Sequence, residues 1–178
     1  MCKKVDMALN QITTIFFDVD GVFTDGSLYF SDNGVNITKF NVYDGMGCIL
    51  LKEAGIEILI LTARHSDAVI ERFKDLGINK IFTKILKKRD FIKEYSKAHN
   101  LSKKELAMMG DDLQDLAAID EVGVFFTTPN AIDIVKDNAD FITKRFGGDG
   151  AVREICDLII RSKASSPSLE FERYIEKR

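Results

Sequence analysis

No uninterrupted apolar run in this 178-residue sequence is long enough to cross a bilayer; the longest, Ile56 to Ala63, is short and broken by Glu57. Nor is there an excess of charge of one sign. Lys and Arg number 25 against 28 Asp and Glu, for a net charge of −3, so nothing marks a general nucleic-acid or polyanion binder. Cysteine is scarce: Cys2, Cys48 and Cys156 are odd in number and lack Cys-x-x-Cys spacing, which excludes a disulfide framework or a thiolate zinc site and suits buried thiols in a reducing compartment. The two histidines, His65 and His99, lack metal-ligand spacing and read as capping or surface residues. The start of the chain, MCKKVDMALNQ, has lysines but no apolar segment behind them, so a cytoplasmic location is expected. What remains, at 46% hydrophobic and 30% charged, is the composition of an ordinary globular domain that can bury a core without staples.

Short β-branched runs alternate with amphipathic stretches, which predicts βαβ units around a parallel sheet. Strands are expected at Ile12–Phe17, Ile56–Leu61, Ile78–Phe82, Glu105–Met109, Val122–Phe126 and Ala139–Ile142. Helices are expected at Asp44–Ala54, Ser66–Leu76, Arg89–His99, Leu113–Ile119, Ala131–Asp137 and Ala151–Ile160. Gly55 and Gly77 stand where the first two helices need a residue tolerant of positive φ. One segment breaks the alternation: Leu28–Phe30 and Val35–Phe40 flank Ser31-Asp32-Asn33-Gly34, and Asn-Gly is a strong hairpin signal. A hairpin flap at about residues 22–41 is therefore expected within a domain spanning residues 1–162, followed by a polar tail over 163–178 that is either mobile or docked on a partner.

The chemistry is concentrated at the predicted strand ends. In Phe17-Asp18-Val19-Asp20-Gly21 two acids one residue apart leave an apolar strand, and the alternation of strand side chains points them the same way. The carboxyl ends of parallel strands are where open α/β sheets hold ligands. Gly110-Asp111-Asp112-Leu113-Gln114-Asp115 places a second acidic group after a later strand; acids complementing a helix dipole explain one of these residues but not three. If Asp18, Asp20 and Asp111 converge, each like-charge pair near 4 Å costs roughly 4 kcal/mol at an effective dielectric of 20. Such a cluster calls for a cation, and an all-oxygen set suits Mg²⁺. Thr62, before Ala63-Arg64, reads either as a phosphate-gripping hydroxyl at a strand end or as a helix cap. Lys88, in Lys87-Lys88-Arg89, reads either as part of a solvated charge run or as a cation facing an anion.

Taken in order, Asp-x-Asp-Gly, Thr, Lys and Gly-Asp-Asp-x-x-Asp after successive strands resemble the haloacid dehalogenase superfamily of phosphohydrolases, over Ile12 to about Asp157. Phe17 to Gly26, Asn41 to Gly45, Thr62-Ala63-Arg64 and Gly147 to Glu154 look like its capless branch, in which a short hairpin stands where relatives carry a cap domain. The resemblance implies a three-layer Rossmann-like α/β fold with a mostly parallel sheet. It implies Asp18 as nucleophile, Asp20 as acid and base, Thr62 and Lys88 as phosphoryl-oxygen ligands, and Mg²⁺ held by Asp18, the main-chain carbonyl of Asp20 and Asp111. Asp112 and Asp115 are implied as supports of that set.

That branch contains phosphatases of acidic ketosugar phosphates, and the resemblance implies such a substrate here. The substrate-binding positions implied are Asn41, Val42, Tyr43, Asp44, Gly45, Arg64 and Arg72, the two arginines eight residues apart and able to share a helix face. The reading implied first is 3-deoxy-D-manno-octulosonate 8-phosphate, in lipopolysaccharide sugar synthesis; the alternative is a sialic-acid-type nonulosonate 9-phosphate. Tyr43 and Ile49 stand where octulosonate phosphatases commonly carry arginine, and Asp149 interrupts a Gly-Gly-x-Gly motif that often carries one. A homotetramer is also implied, with Phe23, Leu28, Tyr29 and Phe30 of the hairpin either at the interface or packed on their own domain. A phosphorylation-switch receiver domain shares the residue types but not their order, and a non-catalytic tetramerisation module would lose acids that this chain keeps.

Overall fold

The computed structural model of the chain describes residues 8–32 and 36–163. Six parallel strands form the central sheet: β1 (Thr14–Phe17), β4 (Glu57–Leu61), β5 (Ile81–Phe82), β6 (Leu106–Met109), β7 (Val124–Thr127) and β8 (Phe141–Ile142), in the order β5-β4-β1-β6-β7-β8. Between β1 and the first helix, β2 (Tyr29–Phe30) pairs antiparallel with β3 (Asn36–Ile37) as a separate two-stranded hairpin. The expected Asn33-Gly34 turn and residues 164–178 lie outside the described residues.

Strand alternation divides the core into two layers. Ile15, Phe17, Ile58, Ile60, Met109 and Phe126 face one side, where they meet α1 (Val42–Glu53), α2 (Asp67–Asp75) and α6 (Ala151–Lys163) through Cys48, Leu51, Val69, Phe73, Ile155 and Ile159. Phe16, Leu59, Leu61, Met108 and Phe125 face the other, against Ile92 and Tyr95 of α3 (Lys88–Ala98) and Val135 of α5 (Asp133–Asn138), with the short α4 (Leu113–Leu116) on the same side. The result is the expected three-layer α/β sandwich. Strand order reverses at β1, between β4 on one side and β6 on the other, and opens a crevice at the carboxyl end of the sheet.

Local chemistry explains the boundaries. Gly55 and Gly77 adopt φ of 83° and 67° just past the ends of α1 and α2, as the sequence requires. Ser66 caps α2, and Asn41 caps α1 by accepting from the Tyr43 N–H at 2.8 Å. Several expected strands are shorter than the apolar runs that announced them: β5 keeps two residues, and the Leu113–Ile119 helix divides into α4 and a 3₁₀ turn at Ile119–Glu121. Phe23 is 2% exposed and makes edge-on contacts with Phe17 and Phe73, so it belongs to the core and is not an interface residue. Leu28, Tyr29, Phe30 and Ile37 of the hairpin remain exposed. Cys48 and Cys156 are buried free thiols in the α1–α6 contact.

Asp44 fastens the two N-terminal helix ends to each other. It is 1% exposed in the first turn of α1 and accepts the N–H of Gly150 at 3.3 Å and of Arg153 at 2.9 Å, at the start of α6. Burial raises its carboxyl above the ordinary range, against the pull of those backbone donors. Asp44→Ala is expected to lower unfolding stability by about 2 kcal/mol, because one buried and one partly buried donor lose their acceptor. Urea denaturation checks this, and an unchanged midpoint would show the contact to be dispensable.

Candidate active site

The crevice at the sheet's carboxyl end gathers charge from three loops. Asp18 follows β1, Asp111 follows β6, Asp115 lies in α4, and Lys88 opens α3 after β5. The Lys88 ammonium is 2% exposed, contacts Asp18 directly, and lies 2.5 Å from Asp115 Oδ1. A solvated charge run is thereby excluded for Lys88. Burial disfavours its charge, but Asp18 and Asp115 outweigh burial and hold its pKa above the ordinary lysine value. The Asp18 carboxyl is raised well above its usual range, first by burial and then by Asp115, with Lys88 pulling the other way.

Asp115 also fixes the loop that carries Asp111. Its Oδ2 accepts the N–H groups of Asp111 at 3.1 Å and Asp112 at 3.2 Å, while Asp112 caps α4 through the Leu113 N–H. Oxygens of Asp18, Asp111 and Asp115 lie within 4.8 Å of one another. Among the described residues no cation pairs with Asp111, and its carboxyl is pushed up to about 7, by burial first and by Asp115 and Asp112 next. Three carboxylates, once all are ionised, against one ammonium would leave two negative charges, which one divalent cation would neutralise. The donors are all oxygens and Asp111 is only partly buried, leaving a side open to water. The set fits Mg²⁺.

The Asp20 carboxylate is not in this cluster. The strand ends at Phe17, and the chain then turns so that the N–H groups of Val22, Phe23 and Thr24 all point at the Val19 carbonyl. Strand alternation therefore does not govern Asp20, whose carboxylate stands 3.8 Å from the Arg64 guanidinium, both about half exposed. The two residues face a cleft of about 310 Å³ shared with Thr62, Thr24, His65 and the hairpin residues Leu28, Tyr29 and Ile37. Thr62 is buried, and its hydroxyl accepts the Arg64 N–H at 3.2 Å.

The expected sugar-binding positions are not all in one place. Arg64 lines the cleft, but it precedes α2, so the two-turn spacing that would align it with Arg72 does not apply. The Arg72 guanidinium covers Gly45, where a Cβ would come 2.4 Å from Nη2. Asn41 spends its side chain as a cap and Asp44 is turned into the fold, whereas Val42 and Tyr43 are 72% and 64% exposed and free to meet a ligand or another chain. Thr128 and Asn130, after β7, reach the turn that carries Asp20, donating to the Gly21 carbonyl at 3.3 and 3.0 Å. Only their place after a strand could have suggested them.

A buried lysine between carboxylates at the switch point of a parallel sheet, beside a small polar cleft, defines an α/β protein with a site suited to an anionic group and a divalent cation. A family model for haloacid dehalogenase-like hydrolases matches residues 77–155. The chain belongs to this family. It is 35% identical over 158 residues to the 3-deoxy-D-manno-octulosonate 8-phosphate phosphatase KdsC of Haemophilus influenzae, covering 89% of this chain and 88% of that one. Identity to the Escherichia coli KdsC is 33% over 154 residues, covering 84% and 80%. Among solved structures, the Moraxella catarrhalis 3-deoxy-D-manno-octulosonate 8-phosphate phosphatase, in complex with magnesium, phosphate and KDO, superposes with a TM-score of 0.91 at 32% identity over 99% of both chains. The cobalt-bound Haemophilus influenzae phosphatase gives 0.83 at 35%, covering 88% and 91%.

The raised Asp111 carboxyl gives a signed prediction. The metal-free folded protein keeps that proton up to about pH 7, whereas the unfolded chain loses it near the ordinary aspartate value. The contribution to stability is full at low pH and is lost as pH rises towards 7. Mg²⁺ binding at pH 6 is therefore expected to release protons, read by calorimetry as a heat that depends on the buffer's ionisation enthalpy. A buffer-independent heat at pH 6 would contradict it.

Proposed function

We propose that this chain is a Mg²⁺-dependent phosphatase of acidic ketosugar phosphates, and that its substrate is 3-deoxy-D-manno-octulosonate 8-phosphate. The observation that carries the proposal is the Asp18–Lys88–Asp115–Asp111 cluster at the strand-order reversal, beside the Asp20–Arg64 cleft. The relatives named octulosonate phosphatases, matched over most of their length, supply the substrate.

Asp18 attacks phosphorus, and the bond to the sugar oxygen breaks as an aspartyl-phosphate forms. Asp20, two residues on and open to the cleft, gives its proton to the leaving oxygen and then takes one from the water that hydrolyses the phosphoenzyme. Thr62 and Lys88 steady the phosphoryl oxygens, Lys88 exchanging part of its contact with Asp18 for the incoming anion. Asp18, Asp111 and the main-chain carbonyl of Asp20 would hold Mg²⁺, which supplies charge neutralisation between carboxylate nucleophile and phosphate. Arg64 faces the same cleft and meets the sugar's carboxylate, for which its planar fork is suited. Val42, Tyr43 and Gly45 complete the sugar contacts, with Arg72 behind Gly45 supporting them.

The exposed apolar side chains of the hairpin, Leu28, Tyr29, Phe30 and Ile37, support assembly into a homotetramer, because such a cluster is costly to leave in water. Assembly would also shelter the phosphoenzyme, which a capless domain leaves open. Among the described residues no helix is long and apolar enough to cross a membrane. The free, buried thiols of Cys48 and Cys156 suit a reducing compartment, and on that ground we assign the protein to the cytoplasm.

The test compares Mg²⁺-dependent phosphate release from octulosonate 8-phosphate and from a nonulosonate 9-phosphate. A preference of about a hundredfold in kcat/KM for the first, roughly 2.7 kcal/mol, is expected, and the reverse preference would overturn the substrate assignment. Asp18→Asn is expected to lower kcat by at least about a thousandfold with the fold intact by circular dichroism. Activity near the parent's in that variant would remove Asp18 as nucleophile.

A further inference from the structure

The turn that carries Asp20 is held from outside by residues with no place in the chemistry above. Gly21 adopts φ of 80°, and the turn's own bonds, three N–H groups on the Val19 carbonyl and the Gly21 N–H on Thr24 Oγ1, leave the Gly21 carbonyl to be held from outside. On one side its Cα lies against the Asp111 carboxylate: a Cβ there would come 1.9 Å from Oδ2. On the other, its carbonyl oxygen accepts from Asn130 Nδ2 at 3.0 Å and from the fully buried Thr128 hydroxyl at 3.3 Å. Gly147 closes in on the same oxygen, where a Cβ would come within 1.9 Å. Asn130 Oδ1 accepts the Gly147 N–H at 2.8 Å, and Gly148 N–H donates to the Val22 carbonyl at 3.0 Å.

We infer that Asn130 is a positioning residue of the active site, bridging the Gly21 carbonyl and the Gly147 N–H so that the Asp20–Gly21 turn is pressed against Asp111. Of short side chains, an amide meets both demands at once, since one end must donate to a carbonyl and the other accept from an N–H. These partners also fix which way the amide points. The loop it grips is tied at its far end to α1, because Asp44 accepts the N–H groups of Gly150 and Arg153. Asn130 thus links the helix end that carries Val42 and Tyr43 to the turn that carries the acid and base. The inference rests on the roles given above to Asp20 and Asp111, and it adds that their mutual placement depends on a side chain that touches neither substrate nor metal.

The test uses the full-length protein with Asn130→Ala and, separately, Thr128→Val. For Asn130→Ala, kcat is expected to fall about 30-fold with KM changed less than about twofold, because a displaced turn costs positioning rather than sugar binding. Calorimetry without substrate is expected to show the Mg²⁺ Kd rising about fivefold, since the Asp20 carbonyl and Asp111 move apart. Amide hydrogen exchange is expected to quicken in residues 18–26 while β4, β6 and α3 keep their protection. Thr128→Val, which keeps the shape and removes one donor, is expected to give the same pattern at about three- to fivefold in kcat, and it carries the test if Asn130→Ala does not fold. Unchanged kcat and Mg²⁺ Kd in a folded variant would overturn the inference, as would a uniform rise in exchange. If the parent hydrolyses neither sugar phosphate but Mg²⁺ affinity and exchange at 18–26 respond as described, the substrate reading fails and the positioning role stands.

Discussion

Everything at the carboxyl end of the sheet depends on one arrangement: the Lys88 ammonium, cut off from water, between Asp18 and Asp115. A buried ammonium is costly unless its charge is met, and a buried carboxylate equally so. Each therefore needs the other, and β1, α3 and α4 are fixed relative to one another by that need. Asp115 then uses its second oxygen to hold the Asp111 loop, so Asp18 and Asp111 are placed through a single hub. Two negative charges are left over. Among the described residues no second lysine neutralises them, and burial first, then Asp115 and Asp112, hold the Asp111 carboxyl above its ordinary range. This is the electrostatic form of a site that awaits a divalent cation.

A second network surrounds the first and joins backbone groups through a few polar side chains. Gly21, Gly147 and Gly148 allow two loops to approach more closely than side chains would permit, and Asn130, Thr128 and Asp44 supply the polar groups that hold them. Among the described residues the hairpin forms its own two-stranded sheet apart from the central one, with Leu28, Tyr29, Phe30 and Ile37 exposed.

The alternation of apolar runs with amphipathic helices gave the three layers, and the glycines after α1 and α2 marked their ends, because both signals are local. Asp18, Asp111 and Lys88 were legible for a related reason: each follows a strand, and a parallel sheet brings its strand ends together. Partners distant along the chain were not legible. Nothing near Asp44 says that it will bond to the start of α6, and its motif invited a ligand-binding role that its burial does not favour. Arg64 and Arg72 have helical spacing, yet Ser66 starts the helix after Arg64 and voids it. Phe23 lies beside a hairpin and reads as surface until Phe17 and Phe73 are seen around it. Asn130 has no local signature, since its meaning lies in a carbonyl 109 residues away.

The central claim is that Asp18 carries the phosphoryl group. The most direct measurement is to quench the enzyme in acid during turnover of octulosonate 8-phosphate with Mg²⁺, reduce with borohydride, and map the peptides by mass spectrometry. An acyl phosphate on Asp18 is reduced to homoserine, so the account predicts a loss of 14 Da at position 18 that requires both substrate and Mg²⁺. Product formation with position 18 unaltered and another carboxylate reduced would contradict it.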